Sequence, residues 1–517
     1  MNKGSPLIIF VAVLASLLEI IDTSIVNVAL PTMMGNLGAT LEDISMVVTG
    51  YAIANAVVLP LSAWLGEKIG RRKYYLGCIA LFTLTSVACG LAPNLEVLTI
   101  FRILQGLAGG ALLPTSQTLI YEQFPREKAG MAGAIFGMSV MIGPALGPVL
   151  GGYLTDNFGW RSIFNINLPL GVFAFILGSA VIFDREKHAS DEQHDNSFDT
   201  IGLILLCLGI GCLQFALERG EADDWFSSNA ITACVATCTV CLPLFVWWEL
   251  RVKNPVINVR LFKDGVVSNG VLLMGLLGFF LYALIFVLPV FIDTVFHYTA
   301  TQTGMLFIPG SILTAMLMPV AGNLMMKGVS PKKLIGFGIC MILLCQYLLT
   351  QLSPDSSQDN ILHILYVRGL ALAFLFVPIN SSIISQFEGI NMGQVSGLLN
   401  LFRQIGGSIG IALVGTLMSS RGHQNYIDLV SNVSLLNPNT QSAFFGSMSA
   451  FMSKSGVGFT DAYHAALTAM KGRVNGQVFI MNFIQLIWII MIIFAFSFVP
   501  LFLIKFRKKP TKVADSH

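Results

Sequence analysis

The stretch Leu7 to Pro31 reads LIIFVAVLASLLEIIDTSIVNVALP. As a helix it is about 37 Å long at ~1.5 Å per residue, more than the ~30 Å hydrocarbon core of a bilayer. A cleaved leader would close on small residues at a cleavage site. This run continues instead through Glu19 and Asp22 to Pro31, which marks a retained first span. Thirteen further apolar stretches are long enough to cross, at roughly 46–66, 74–92, 96–120, 129–154, 163–183, 199–217, 228–249, 267–292, 302–326, 333–352, 361–385, 394–419 and 478–504. The fold class this predicts is an all-α membrane protein with 14 transmembrane helices.

Composition points the same way. Of 517 residues, 55% are hydrophobic and 11% charged, whereas a soluble domain carries roughly 25% charged residues. Too few charges exist to coat the three or so soluble domains a chain of this length would make. In lipid the outer surface is apolar as well, and the shortage disappears. A net charge of +2 leaves no basic footprint for nucleic acid. The nine cysteines are odd in number and sit in apolar runs. Cys234, Cys238 and Cys241 fall at helical spacing, but no His or carboxylate shares their segment, so they read as small apolar filler, not a metal site or disulfide framework. No phosphate-cradling Gly-x-x-x-x-Gly-Lys-Ser/Thr loop is present, and no nucleophile stands with a base partner. Neither an ATP-driven pump nor a membrane enzyme is expected, and the expected cofactors, metals and catalytic residues are none.

An even number of spans puts both termini on one side, and basic loop residues say which. With the N-terminus cytoplasmic, inside loops hold 21 of the 30 Lys and Arg and outside loops 6, so both termini are expected inside. A twelve-span reading would make the seventh and eighth segments re-entrant, but Glu218-Arg219 and Asp223-Asp224 look like an outside turn. The chain also repeats itself. The fourth segment carries Arg102, Gln105-Gly106, Pro114 and Gln123-Phe124; the twelfth carries Arg368-Gly369, Pro378 and Gln386-Phe387. The fifth and thirteenth are both glycine-rich. This is the mark of two duplicated six-helix bundles. The expected division is an N-terminal bundle over 1–183, a linker (184–199) with two inserted helices over 184–263, and a C-terminal bundle over 264–517 with a long outside loop at 421–477.

Glu19 and Asp22 are the acids that lie deep in a span. Three residues apart, they share one helix face, ~18 and ~22 Å from the inside start of the helix. A carboxyl at such depth is costly, and is paired or functional. Arg102 enters from outside and lies ~10 Å below the outer edge, where Asp22 lies ~8 Å below it. The matched depths predict that Arg102 approaches Asp22. Two roles fit the carboxyls: proton carriers, or members of a permanent ion pair. Arg102 in turn either holds a carboxylate ionised or braces the bundle through backbone carbonyls. In the fifth segment Gly143, Gly147 and Gly151 recur at a spacing that lets helices touch, while Pro144 and Pro148 remove backbone donors and bend the helix. A close contact where the two halves meet is expected there.

These residues resemble the major facilitator superfamily. Gly66-Glu67-Lys68-Ile69-Gly70-Arg71-Arg72-Lys73 resembles its first inside loop, with Glu67 where Asp is usual. Arg102, Gln105 and Gly106 resemble its fourth-helix motif. The run from Gly143-Pro144 through Gly147-Pro148 to Gly151-Gly152 resembles the fifth-helix signature of its antiporters. Asp22 to Pro31 resembles the first-helix motif of its fourteen-helix drug:proton antiporters. Glu218-Arg219-Gly220, Asp224-Trp225-Phe226, Trp248-Glu249-Leu250, Asn254-Pro255, Leu261-Phe262-Lys263 and Asn437-Pro438-Asn439 resemble the EmrB branch, so the resemblance spans nearly the whole chain.

The resemblance implies two bundles rocking about a central cavity, with a proton gradient driving export of drugs or other amphipathic molecules from a bacterial inner membrane. Glu67, Gly70, Arg71 and Arg72 would form an inside latch, with Glu67 pairing to Arg71 or to the other half. An Asp matches Asp22 in the family's drug pumps; Glu19 is less regular, and pairing with a cationic substrate is its second role. A periplasmic membrane-fusion adaptor and an outer-membrane channel are the implied partners. A dedicated exporter of one metabolite, such as a siderophore, and a non-antiport transporter of the same fold are the rival readings.

Candidate cavity residues are the intramembrane polar groups Asn27, Gln117, Asn380, Asn400 and Gln404, with Phe136, Met138 and Met141 as adaptable apolar surface. Arg403 stands beside Gln404. In the long outside loop, Phe444, Phe445, Met448, Phe451 and Met452 give an apolar side, and Asp461 to Met470 reads as a short helix capped by Thr460 or Asp461. Such a loop either covers the outer mouth or meets a partner.

Overall fold

The computed structural model describes residues 4–183, 199–434, 436–455 and 458–506. The expected linker lies outside these residues except for Asp199. Among the described residues, fourteen helices are long and apolar enough to cross a membrane. Their main helices are α1 (Pro6–Leu37), α2 (Leu41–Ile69), α3 (Arg71–Gly90), α4 (Leu95–Gln123), α5 (Ala129–Phe158), α6 (Asn167–Val181, the larger part of a span that starts at Ser162), α7 (Thr200–Arg219), α8 (Asn229–Glu249), α9 (Gly265–Phe296), α10 (Ala300–Met326), α11 (Pro331–Leu349), α12 (Gln358–Ile384), α13 (Gly389–Ser431) and α14 (Phe459–Ala495). A helix satisfies its backbone groups within the segment, which lipid demands. Polar residues stop and start the helices between crossings. Thr40, Asn94, Asp199 and Asp264 each accept a backbone N–H of the first turn, and Thr299 forms a capping box with Gln302.

We call the side holding the start of α1 and the end of α14 the terminal face, and the other side the far face. Helices α1–α6 pack among themselves, and α9–α14 repeat the same pairings: α1 on α5 as α9 on α13, α2 on α4 as α10 on α12, α3 on α4 as α11 on α12. The two sets meet along two seams, α5 with α10 and α2 with α13. Close approach at the seams depends on missing side chains. A Cβ on Gly130 would strike the backbone of Gly322, and one on Gly397 would strike Leu59. The inserted α7 and α8 pack on one another, and α7 lies on α2. Only 17% of the apolar window of α8 is buried, against 72% for α12, so α8 sits at the rim and α12 in the centre.

Two expectations are corrected. The short helix expected over Asp461 to Met470 is the first part of the continuous α14, which starts after Gly458. With α13 running to Ser431 and a further helix over Pro438–Ser455, the long loop is mostly helical. Its apolar side is satisfied locally: Phe444 and Met448 pack on Ala462 and Ala466 of α14. The expected placement of the Gly143, Gly147 and Gly151 stripe between the halves is also wrong. These residues face Ile20, Ser24 and Ile25 of α1, within the first half. On α5 it is Gly130, Gly133 and Gly137 that meet the second half, at Gly322, Ser381 and Met318. Pro148 does face α10, beside Gly304; Pro144 is half-buried.

Candidate functional site

The first half buries a cluster of charge. Asp22 on α1 is fully enclosed, and Arg102 on α4 is 1% exposed. Their Oδ2 and Nη1 lie 2.5 Å apart. Gln105 Nε2, one turn along α4, and Asn167 Nδ2 of α6 each donate to Asp22 Oδ1 at 2.8 Å. Arg102 also donates through Nε to the Val47 carbonyl at 3.2 Å and through Nη1 to Gln105 Oε1 at 2.9 Å, with its guanidinium carbon 4.2 Å from the Tyr51 ring centre. Asn167 is oriented by a second bond to Ser86 of α3, at 2.9 Å. A buried ion pair gains little if its remaining lone pairs are left empty. Here both carboxylate oxygens are occupied, and four helices contribute to holding them.

Glu19 sits one turn nearer the terminal face, 4% exposed. Its Oε1 accepts a single bond, from Asn55 Nδ2 of α2 at 3.0 Å. A Cβ on Gly109 of α4 would press on the Glu19 side chain and the Tyr51 hydroxyl, so that glycine leaves room for both. Around the two carboxyls, Asn55, Tyr51 and Asn167 are residues that sequence reasoning does not single out. Asn55 and Asn167 are polar residues inside apolar runs, which is a usable signal; Tyr51 gives none.

The expected cavity residues divide. Gln117, Asn380 and Asn400 are buried in one network across the halves: Gln117 Nε2 donates to Asn380 Oδ1 at 2.8 Å, and Gln117 Oε1 accepts from Asn400 Nδ2 at 2.8 Å and from Ser396 Oγ at 2.5 Å. Gln117 is separated from Asn380 by as many residues as Gln123-Phe124 from Gln386-Phe387, so equivalent positions of the two repeats meet at the centre. Tyr121 and Ser381 add a hydroxyl pair at 3.2 Å. These residues tie the two halves to one another. Phe136 is buried and stacks on Phe376 across the same interface, with Met141 buried and Met138 half-buried nearby on α5. Gln404 of α13 donates to the Ala52 carbonyl of α2 at 3.0 Å. Asn27 is apart from all of these, exposed in the far-face part of α1.

At the terminal face Gly70 adopts φ 95°, open to glycine, and turns α2 into α3. Arg71 Nη1 lies 2.8 and 2.6 Å from the two oxygens of Glu122 on α4, and Arg72 Nη2 donates to the Ser179 carbonyl of α6 at 2.6 Å. Both arginines thus brace the first half internally; Glu67 is exposed beside them. An ion pair, Arg126 with Glu388 at 2.5 Å, crosses between the halves on this face.

Residues 12–411 match the model of the Major Facilitator Superfamily. The chain belongs to this superfamily. It is 32% identical to multidrug export protein EmrB of Haemophilus influenzae over 96% of this chain and 94% of that protein. It is 35% identical to fatty acid resistance protein FarB of Neisseria gonorrhoeae over 79% of this chain and 80% of that one. Among solved structures it resembles the human organic anion transporter MFSD10, with a TM-score of 0.60 at 12% identity, covering 93% of this chain and all of that one, a likeness of fold alone. The superfamily fold of two six-helix bundles accounts for the paired seams, and the two inserted helices bring the spans to fourteen.

Proposed function

We propose that this chain is a proton-driven antiporter that exports drugs or other amphipathic small molecules by alternating access. The observation that carries the reading is the enclosed Asp22–Arg102–Gln105–Asn167 network with the loosely held Glu19 one turn away. Asp22 is saturated with donors, so its pair with Arg102 fixes α1 to α4. Glu19, with one bond, can take up and release a proton without dismantling a network, and we assign it the exchange. The terminal face is the cytoplasmic one, since 21 of the 30 basic residues belong to its loops and tails. The membrane is then a bacterial inner membrane with both termini inside. The Gln117–Asn380–Asn400 network and the Arg126–Glu388 pair close the cytoplasmic side in this state. The exposed Asn27 lies where the outward opening would be.

The far-face hairpin of Pro438–Ser455 on α14 is the surface we assign to a periplasmic adaptor leading to an outer-membrane channel. It keeps Phe445, Phe459, Tyr463 and Leu467 exposed after packing its own core. The FarB relative favours a second, narrower reading in which one class of amphipathic molecule is the dedicated substrate. Everted vesicles test the proposal: drug uptake should follow an imposed proton gradient and stop when a protonophore collapses it. Uptake that survives collapse of the gradient would rule out proton antiport, and a panel of unrelated drugs and fatty acids separates the broad reading from the narrow one.

A further inference from the structure

The inserted helices carry further carboxyls into the protein: Asp199 and Glu249 are buried, and Glu218 is half-buried. By sequence Glu218 belongs to an outside turn, but it lies on α7 and points into the bundle. Its Oε1 accepts from Gln214 Nε2, one turn back on α7, at 2.9 Å and from Ser408 Oγ of α13 at 2.9 Å. Gln214 Nε2 also lies 2.5 Å from Ser408 Oγ. Beyond the end of α7, Trp225 Nε1 donates to Thr416 Oγ1 of α13 at 2.9 Å. The same helix holds α2 as well. Arg219 Nη1 donates to the Glu42 carbonyl at 2.9 Å and to Ser45 Oγ at 2.8 Å, while its Nη2 pairs with Asp223 at 2.8 Å. Further along, Gly211 opens onto Ile53 and Val57 of α2. Helix α7 therefore bridges α2 of the first half and α13 of the second, the two helices of one seam.

The two attachments differ in kind. That to α2 is packing along the helix, finished by a permanently charged guanidinium. That to α13 is polar: Ser408 on the Glu218 carboxyl, with the Trp225–Thr416 bond beyond it. An ionised carboxylate only accepts hydrogen bonds, and a proton taken up on it turns one acceptor into a donor. Packing on α2 is indifferent to that change; the bonds from Ser408 and Gln214 weaken, because a neutral carboxyl is a poorer acceptor than a carboxylate.

We propose that α7 and α8 form a strap carried by the first half, whose clasp on α13 opens in each transport cycle when Glu218 takes up a proton. The proposal rests on the alternating-access reading above. The proton comes from solution at the far face, forms one O–H bond on the carboxylate, and returns to solution when the clasp closes; nothing else is made or broken covalently. The titratable group that reaches the clasp is Tyr282 of α9, which is also within range of Arg403 of α13 and Glu19 of α1. Arg219 is turned to α2 and Asp223, and Glu221 lies against Gly415 of α13.

Two engineered disulfides in the full chain, reconstituted in liposomes, test the strap. Gly211→Cys with Ile53→Cys ties it to α2; Gly415→Cys with Glu221→Cys ties it to α13, since in both pairs a Cβ on the glycine comes within 4 Å of its partner's side chain. With ethidium as probe and an imposed proton gradient, oxidation should leave the first pair near its reduced rate and stop the second, with recovery on reduction. Full transport through the oxidised second pair, or arrest of the first, overturns the proposal. Infrared difference spectra between mildly alkaline and mildly acid buffer give a readout that needs no transport. Glu218 and Glu19 should each give a carboxyl C=O component on acidification; Glu218→Gln should remove one, and Glu19→Gln a different one; a spectrum unchanged in Glu218→Gln overturns the role of Glu218. If wild-type protein carries no ethidium, the transport reading fails, and the infrared band alone decides the clasp.

Discussion

The two halves of this molecule share a scaffold and differ in charge. In the first, α5 lays Gly143, Gly147 and Gly151 against α1; in the second, α13 lays Gly406 and Gly410 against α9, where Gly275 and Gly278 receive it in turn. Each central helix carries one arginine, Arg102 on α4 and Arg368 on α12, and both are buried. Arg102 meets Asp22, Gln105 and the Tyr51 ring. Among the described residues Arg368 pairs with no carboxylate; its Nε has no partner, and its guanidinium carbon lies 5.8 Å from the centre of the Phe307 ring. Helix α9, the counterpart of α1, has its one acid, Asp293, exposed near the far-face end. Duplication supplied the frame, and among the described residues of its two copies only the first holds buried acids. On the proposed function, proton handling then falls to the first half, and the second half moves against it.

The strongest way to break this comparison is to remove the acids. Glu19→Gln should lower gradient-driven efflux by roughly 100-fold, the lower end of what a positioned proton-transfer group contributes; Asp22→Asn, which leaves Arg102 buried without its carboxylate, should lower it by at least about 10-fold, while the protein still inserts. Normal rates in both would place coupling elsewhere. Next comes Arg102→Lys, which keeps the charge and loses the planar fork that reaches Asp22, Gln105 and Val47 together; efflux should fall by about 10-fold, the equivalent of one charge-assisted bond of ~1.5 kcal/mol. Full activity would mean that a point charge suffices. Gly147→Val and Gly410→Val should both destabilise by about 1–3 kcal/mol, the usual cost of overpacking, because this contact is common to both halves; thermal unfolding in detergent measures it, and a large difference between the two would argue against a shared frame. Smallest is Arg368→Lys, for which efflux should change by less than about twofold, since no bidentate partner is lost. A loss as deep as that of Arg102→Lys would erase the asymmetry.

Much of this architecture is legible in the amino-acid sequence. Apolar runs of about 20 residues give span number because lipid forces each crossing to be helical. The depth of Asp22 and Arg102 follows from a fixed rise per residue, so their meeting can be anticipated from opposite ends of two helices. What spacing does not reveal is azimuth. The glycine stripe of α5 has the same period whichever neighbour it faces, and it faces α1. Gln117, Asn380 and Asn400 are marked as interior by their polarity in a span, but polarity does not say that they bond to one another across the halves. Glu218 is hidden by its place beside Arg219 and Gly220, where a helix end and a turn read alike; only the position of Ser408 shows that it turns inward. The far-face ends of α13 and α14 resemble loop in sequence because lipid no longer constrains composition there, and polar helices lack the apolar signal.

Proton movement across liposomes holding the full-length protein, followed with a trapped pH dye while drug is supplied, tests the central claim most directly. Drug-dependent proton flux is expected through the wild type, with its loss in Asp22→Asn and Glu19→Gln and its survival in Arg368→Gln. Undiminished flux through both acid variants, or flux that fails only when Arg368 is changed, would contradict proton handling by the first half.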